Sequence, residues 1–302
     1  MFRHLLAPLD GSPLAESVLP LVVAFATQGR AQITLLHVLE RDPPLRIHGA
    51  PHLREPRDAE AYLHDAAAWL QLQGVSADLH VHEPRSGVPE EILSHAEQLG
   101  ADLIVLCSHG GRGWRGLLFG RVAQQVLARG PIPVLTVHAA PEARSARFLC
   151  KRILVPLDGT EVSEAVLPRA RAIALSFGAE LLLVRVVPTV ETASGGGGAA
   201  ARLLPAAAAA LLRVEADQAN VYLENIGSRL REPHVAVSCS VARGEPVRQV
   251  TDMVASRDVD LIAMSTHGHS GTAAVWAGSF AARLLERTAC PLLLVRSTAM
   301  PT

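Results

Sequence analysis

The sequence predicts an α/β protein of two tandem doubly wound domains, each built around an open parallel five-stranded sheet. Two observations predict this fold: one pattern occurs twice along the chain, and short apolar runs alternate with helical patterns within each copy. The chain has 302 residues, of which 49% are hydrophobic, so it is long enough for two cores of ordinary size.

The repeat is visible as three matched segments. They are HLLAPLDGSPLAESVLP (4–20) with RILVPLDGTEVSEAVLP (152–168), ADLIVLCSHG (101–110) with VDLIAMSTHG (259–268), and IPVLTVH (132–138) with CPLLLVR (290–296). The offset grows from 148 positions in the first match to 158 in the second. The second copy therefore carries an insertion, which we place in the Gly- and Ala-rich stretch 194–212. We expect one domain at 1–138, a linker at 139–150 and a second domain at 151–297.

Each element of the first copy follows from a local signal. Strand-length apolar runs predict five strands, at 4–9, 32–39, 77–82, 102–108 and 133–138. Helical patterns predict helices from Ser12 to Gly29, near 58–73, from Gly87 to Leu99 and from Gly120 to Gly130. Ser12 suits the N-cap of the first helix because Pro13 follows it, and Gly29 suits its end. Strands that alternate with helices in this way form a parallel sheet with right-handed crossovers.

Ligands of such sheets bind beyond the carboxyl ends of the strands. The polar motifs fall there in both copies: Asp10-Gly11, Val38-Leu39 and Ser108-His109-Gly110 in the first, and Asp158-Gly159, Val186-Val187 and Thr266-His267-Gly268 in the second. This convergence of separate loops predicts one ligand site per copy.

The loop from Ser265 to Gly268 and the pair Gly278-Ser279 have the composition of a phosphate site. Glycines let backbone amides approach phosphate oxygens, and the helical pattern after Ser279 offers its N-terminus. The alternative is that these residues form turns and an N-cap. Asp158 likewise has two interpretations, as an acceptor for a ribose hydroxyl or adenine amino group and as the first residue of an Asp-Gly turn.

Composition excludes several classes of partner. The formal net charge is −1 and aromatic residues make up 4%, so neither nucleic acid nor an anionic membrane is expected to bind. The four cysteines lie far apart, as in reduced cytoplasmic proteins. No signal peptide or transmembrane helix is predicted. The P-loop pattern is absent, and PLDGSP or PLDGTE follows the first strand of each copy, where a nicotinamide-binding domain would have G-x-G-x-x-G.

The histidines near the strand ends are interpreted as structural residues and not as catalytic or metal-binding ones. His109 and His267 follow the fourth strands, but the sequence pairs them with no nucleophile or orienting carboxylate, so bracing of the loop is favoured over base catalysis. His80 and His82 share one strand face. Without further ligands at recognisable spacing, they are interpreted as exposed residues, and no metal site is expected.

Taken together, LVPLDGTE, then STHG, nine residues and GS, and finally CPLLLV resemble the universal stress protein family. The first copy, with LAPLDGSP, CSHG, GR and IPVLTVH, resembles a second domain of that family. The resemblance covers nearly the whole chain and is of the tandem two-domain type. It implies strand order 3-2-1-4-5 in each domain and, as in many members, an ATP site.

Carried over by position, the resemblance implies a nucleotide site in the second domain: Pro156, Asp158, Val186, Val187, Ser265, Gly268, Gly278, Ser279 and Phe280. Pro156 would lie near the base, and Val186 or Val187 would offer backbone hydrogen bonds to adenine. Phe280 would contact phosphate through its backbone. Ser265 stands where the family signature has its first glycine.

The equivalent positions of the first domain form a degenerate motif: Asp10, Val38, Gly110, Gly120 and Arg121. Cys107 stands where the signature has its first glycine, and Arg121 replaces the final hydroxyl residue. Arg121 either blocks the phosphate pocket or adds charge-assisted bonds to an anion. A degenerate or weak site is the favoured interpretation.

The resemblance implies a cytoplasmic stress-response protein that binds ATP, with or without Mg²⁺, mainly in its second domain. AMP or another adenine nucleotide is compatible with the same motifs. The expected role is a binding and regulatory switch and not an enzyme, although slow hydrolysis stays open. The alternative is a stress scaffold of the same fold that binds no nucleotide. We also expect the two fifth strands to pair antiparallel across a pseudo-twofold axis, making an internal dimer, and a homodimer is compatible with the sequence.

Overall fold

The structure is a computed structural model that describes residues 1–41, 43–83, 86–108, 121–139, 144, 147–189, 192, 205–267 and 280–297. It divides into two compact units. Unit 1 comprises Met1–Leu149 and Gly268–Arg296, and unit 2 comprises Cys150–His267 and Ser297–Thr302. The sequence-based domain boundaries at 138 and 151 stay predictions.

The strands are β1 (His4–Pro8), β2 (Gln32–Val38), β3 (Arg46–Ile47), β4 (Ala50–Pro51), β5 (Asp78–His82), β6 (Leu103–Ser108), β7 (Val134–His138), β8 (Arg152–Pro156), β9 (Glu180–Val187), β10 (Val237–Arg243), β11 (Leu261–His267) and β12 (Leu292–Ser297). The helices are α1 (Leu19–Gly29), α2 (Pro56–Leu72), α3 (Val88–Gln98), α4 (Arg121–Arg129), α5 (Glu161–Glu164), α6 (Leu167–Phe177), α7 (Pro205–Leu230), α8 (Pro246–Ser256) and α9 (Phe280–Arg287). A short 3₁₀-helix covers Ala15–Val18.

Unit 1 contains a parallel sheet in the order β5-β2-β1-β6-β7, with β12 antiparallel to β7. Leu5 of β1 pairs with Ile33 of β2 on one side and with Leu103 of β6 on the other. These three side chains are buried because helices cover both faces of a doubly wound sheet. The predicted α/β fold with a parallel sheet is confirmed.

Unit 2 contains parallel strands in the order β10-β9-β8-β11. Its core is the same kind of aliphatic layer, with Ile153, Leu154 and Val155 of β8 buried. The pseudo-twofold arrangement of two domains and the homodimer stay predictions.

In each unit, one aspartate carboxylate links two central strands of the sheet. These strands are β1 and β6 in unit 1, and β8 and β11 in unit 2. Asp102, just before β6, accepts hydrogen bonds from the backbone N–H groups of Arg3 at 2.9 Å and His4 at 3.0 Å. Asp260, just before β11, accepts them from Lys151 at 2.7 Å and Arg152 at 3.0 Å. The same pair of hydrogen bonds therefore aligns the central strands in both units. As a result, the carboxyl ends of these strands are aligned too.

The first helix begins later than predicted. Ser12 Oγ does accept a hydrogen bond from the Ala15 N–H at 3.2 Å, but a 3₁₀ turn follows, and α1 begins at Leu19. Pro20 explains the break because it has no N–H with which to continue the preceding turn. Unit 2 shows the same break, with α5 separated from α6 near Pro168.

Helix α7 has 26 residues, whereas its counterpart α2 has 17. Much of the insertion predicted at 194–212 is therefore extra helix, while residues 193–204 lie outside the described residues. Among the helices of the described chain, none is long and apolar enough to cross a membrane.

Candidate functional site

The loop after β8 presents Asp158 at the carboxyl edge of unit 2. Asp158 is exposed, and its Oδ1 accepts hydrogen bonds from the Thr160 N–H at 2.9 Å and from Thr160 Oγ1 at 2.6 Å. Thr160 in turn caps α5, since its Oγ1 accepts from the Ser163 N–H at 3.2 Å. Asp158 therefore makes the predicted Asp-Gly turn and still presents its carboxylate at the surface. Pro156, the last residue of β8, is half-buried beside it.

The end of β9 distinguishes the two candidate valines. The Val187 carbonyl accepts a hydrogen bond from the Gly244 N–H at 3.0 Å, whereas the Val184 carbonyl accepts one from Leu157, which follows β8. Backbone groups of a parallel strand alternate in direction, so Val186 points its N–H and carbonyl to the β8 side. Because β8 ends at Pro156, Val186 is the better placed of the pair to bond a ligand there.

Ser265 lies on β11, two residues before its end. Its Oγ donates to the Ser163 carbonyl at 3.4 Å, so the hydroxyl points toward α5. Asp158, Val186 and Ser265 thus lie at the carboxyl ends of three strands that are neighbours in the sheet.

Two residues at this edge were missed by the sequence analysis. The Arg185 guanidinium lies over the Tyr222 ring, with Cζ 5.3 Å from the centroid, and Tyr222 donates a hydrogen bond to Glu164 Oε1 at 2.9 Å. A Cβ on Gly159 would lie 3.0 Å from Arg185 Nη1. Arg185 therefore places a cation against the Asp158-Gly159 turn. Burial, and then the bond to Glu164, raise the pKa of Tyr222, so its hydroxyl stays protonated.

Outside the described residues lie Gly110 and Gly120 of the first domain and Gly268, Gly278 and Ser279 of the second, together with His109. Arg121 begins α4 and Phe280 begins α9, where Phe280 is half-buried.

The equivalent edge of unit 1 is covered by its own chain. Asp10 Oδ1 accepts a hydrogen bond from the Ser12 N–H at 2.8 Å, and Asp10 Oδ2 lies 3.8 Å from His48 Nε2. His48 belongs to the tight turn between β3 and β4. A Cβ on Gly11 would lie 2.7 Å from Leu53 Cδ1, so Leu53 packs directly against the Asp10-Gly11 turn. Val38, at the end of β2, is buried.

His37 occupies in unit 1 the strand position that Arg185 occupies in unit 2. Its Nδ1–H donates to the Leu9 carbonyl at 2.7 Å, and burial lowers its pKa. A neutral imidazole therefore stands where unit 2 has a permanent cation. The two edges differ in charge as well as in access.

The glutamate and tyrosine of unit 2 also have counterparts in unit 1. Burial and the nearby Glu16 carboxylate raise the pKa of Tyr62. Arg144, from the predicted linker, lies with Nε 2.7 Å from Glu16 Oε2 and Nη2 3.0 Å from Asp65 Oδ2. The linker therefore returns to unit 1 and neutralises the carboxylate beside the buried phenol.

Comparisons with known proteins find similar sequences and similar folds. The family model for the universal stress protein family matches residues 1–138 and 150–296. A universal stress protein of Methanocaldococcus jannaschii is 28% identical over 153 residues, 51% of this chain and 86% of that protein. One from Synechocystis is 33% identical over 141 residues, 45% of this chain and 86% of that protein.

One solved structure is similar over nearly its whole length. The universal stress protein from Archaeoglobus fulgidus has a TM-score of 0.71 at 20% identity and covers 97% of this chain and 98% of its own. At that identity the likeness is one of fold.

Proposed function

Because the chain belongs to the universal stress protein family, we propose that its second domain binds an adenine nucleotide, with ATP as the expected ligand. The observation that carries the proposal is the convergence of Asp158, Val186 and Ser265 at the carboxyl ends of three neighbouring parallel strands. Open α/β sheets bind their ligands at this edge.

Each residue has a distinct role in the proposal. The Asp158 carboxylate accepts a hydrogen bond from the ribose or the adenine amino group, and the Val186 backbone bonds the base beside Pro156. Backbone amides from Gly268, Gly278 and Phe280, together with the Ser279 hydroxyl, bind the phosphates. The family signature has a glycine where this chain has Ser265. The serine hydroxyl is accommodated because it points toward Ser163. Mg²⁺, where bound, adds charge neutralisation on the phosphates.

The second domain is the main site because the first is covered. Leu53 packs on Gly11, and His48 lies beside Asp10, so a base would have to displace the segment that carries both. Arg185 gives the second site a permanent cation near the Asp158 turn, which favours an anionic ligand.

The role we propose is regulation through occupancy and not through turnover. In the described part of this edge, the Asp158 and Glu164 carboxylates each accept hydrogen bonds from neighbouring hydroxyls, those of Thr160 and Tyr222. Neither is placed as a general base for attack by water. Occupancy of the site would change the surface offered to partners.

The first test is mass spectrometry of small molecules released when freshly purified protein is denatured, with the stoichiometry per chain. Calorimetric titration of the emptied protein with ATP, AMP and a cyclic nucleotide then ranks the ligands. We expect one adenine nucleotide per chain. Two per chain would contradict the assignment of the first domain as covered.

Asp158→Asn provides the matched variant because Asn keeps an oxygen for the Thr160 turn while removing the charge. We expect it to weaken nucleotide binding by about 10-fold, the effect of one charge-assisted hydrogen bond. Asp10→Asn, the equivalent change in the first domain, should leave affinity unchanged. Equal effects of both variants would refute the assignment to the second domain, and a protein that ignores every nucleotide would favour the scaffold alternative.

A further inference from the structure

Three side chains of unit 1 meet where β5 ends and α3 passes beside it. His82 is the last residue of β5, while Glu91 and His95 lie one turn apart on α3. One potential ligand atom of each residue lies within 4.8 Å of the other two, and His82 Nε2 lies 3.0 Å from Glu91 Oε2. Neighbouring ligands of tetrahedral Zn²⁺ lie about 3.3 Å apart, as follows from zinc–nitrogen bonds of about 2.0 Å.

Further contacts orient two of these three ligands. The His95 Nδ1–H donates to the Glu91 carbonyl, 3.0 Å away, so His95 Nε2 carries the lone pair that a metal needs. Glu91 Oε1 accepts hydrogen bonds from the Ser86 N–H and Oγ–H, both at 2.8 Å, while Oε2 faces His82. Metal sites typically hold their ligands by outer hydrogen bonds of this kind.

Burial separates this group from an ordinary surface cluster. Glu91 and His95 are buried, with 6% and 9% exposure, and a buried carboxylate needs a compensating charge. The side chain of His82 keeps 27% of its surface exposed, but its Nε2, the atom that faces Glu91, is itself buried.

We propose that His82, Glu91 and His95 bind a divalent transition-metal ion, and that Zn²⁺ is the ion this set of two imidazoles and one carboxylate suits best. Three protein ligands leave the fourth tetrahedral position to water or an outside ligand. The ion would join β5, the edge strand of the parallel sheet, to α3. The proposal is independent of nucleotide binding because it uses different residues in the other unit.

No metal was expected here from the sequence, because β5 by itself offers only His80 and His82. The missing ligands come from α3, where Glu91 and His95 form a Glu-x-x-x-His pair at helical spacing. That pair is the sequence signal that could have found the site.

The test is a titration of chelator-treated full-length protein with Zn²⁺ by calorimetry, and with Co²⁺ by visible absorption, which reports tetrahedral nitrogen and oxygen ligands. We expect one ion per chain and intense Co²⁺ bands that Zn²⁺ abolishes. Absence of saturable binding, or a Co²⁺ spectrum of a hydrated octahedral ion, would overturn the proposal in favour of a His82–Glu91 hydrogen-bonded pair.

Variants locate the ion. His82→Ala and the isosteric Glu91→Gln should each weaken Zn²⁺ affinity by at least about 100-fold, and Ser86→Ala by about 10-fold through loss of an outer contact. His80→Ala is the matched control because the His80 ring packs against that of His95 but supplies no ligand atom to the group, so affinity should fall far less than in the ligand variants. Circular dichroism of each metal-free variant checks the fold. Retained affinity in folded Glu91→Gln would refute the site.

Discussion

At the scale of single residues, Gly159 has a left-handed backbone conformation, with a φ of +91°. A Cβ there would lie 3.0 Å from Arg185 Nη1 and 3.1 Å from its Cζ. We therefore expect Gly159→Ala to lower the free energy of unfolding by about 2 kcal/mol, through backbone strain and displacement of the guanidinium. Urea denaturation followed by circular dichroism measures the change.

Gly178→Ala separates the effect of backbone strain from the effect of a contact with a neighbouring side chain. Gly178 ends α6 with a φ of +66°, and a Cβ there would meet no atom within 4 Å. This variant should lower the free energy of unfolding by about 1 kcal/mol, through backbone strain alone. If the two variants lose the same stability, the contact between Gly159 and Arg185 contributes nothing.

The residues of this edge were unequally predictable. The Asp-Gly turn was evident because few dipeptides favour it so strongly, and Asp158 does form it. Arg185 carried a signal that was overlooked, since an arginine near the end of an otherwise apolar strand needs a partner. That partner, Tyr222, follows the insertion in a distant helix, so local patterns could not identify the pair.

At the scale of elements, Glu180 connects three neighbouring strands. It begins β9, accepts a hydrogen bond from Arg152 Nε of β8 at 2.9 Å, and accepts another from Ser238 Oγ of β10. The Ser238 hydrogen bond, followed by the contacts with Arg152, holds the pKa of Glu180 below its ordinary value. The carboxylate therefore stabilises the fold at neutral pH, and this contribution is lost as the pH falls below about 4.5 and through the folded-state pKa.

Glu180→Gln should lower the free energy of unfolding by about 1 kcal/mol at pH 7, as expected for a half-buried ion pair. The difference from the parent protein should shrink as the pH falls below about 4.5 and through the folded-state pKa, because the parent then loses the same charge. Urea midpoints measured across this range test it. Glu224→Gln is the control: Glu224 pairs with Arg231 at 3.1 Å on the exposed face of α7, and its loss should change little. A difference that does not shrink with falling pH would contradict the electrostatic explanation.

The elements themselves followed the sequence closely where periodicity was strong. The predicted strands at 4–9 and 102–108 correspond to β1 and β6 within one residue at each end. The first helix was harder because its N-cap signal at Ser12 is genuine, while Pro20 divides the segment that follows. The length of α7 was also hidden, since an Ala-rich run is compatible with a loop or with added helical turns.

At the scale of the whole molecule, the sequence repeat and the compact units divide the chain differently. The repeat places 290–296 in the second copy, yet Gly268–Arg296 belongs to unit 1. There β12 pairs antiparallel with β7, matching Leu292 to Thr136, and Thr136 Oγ1 donates to the Leu292 carbonyl at 3.3 Å. Antiparallel pairing of the two fifth strands was expected from the sequence, because a fifth strand at a sheet edge needs covering. The local patterns gave no sign that 268–296 would group with unit 1.

This division predicts the behaviour of a fragment that ends at Leu149. Without β12, the outer edge of β7 would present unpaired backbone groups beside the apolar side chains of Val134 and Leu135, which are buried in the full chain. Exposed apolar edges associate with one another. We therefore expect fragment 1–149 to form dimers or larger species, and the associated fraction should rise with the fragment concentration. Light scattering after size exclusion measures it. Addition of fragment 150–302, which carries β12, should restore a defined complex. A fragment 1–149 that stays monomeric at high concentration, with the thermal stability of the full chain, would show that unit 1 does not need residues 268–296 and that the repeat is the true boundary of folding.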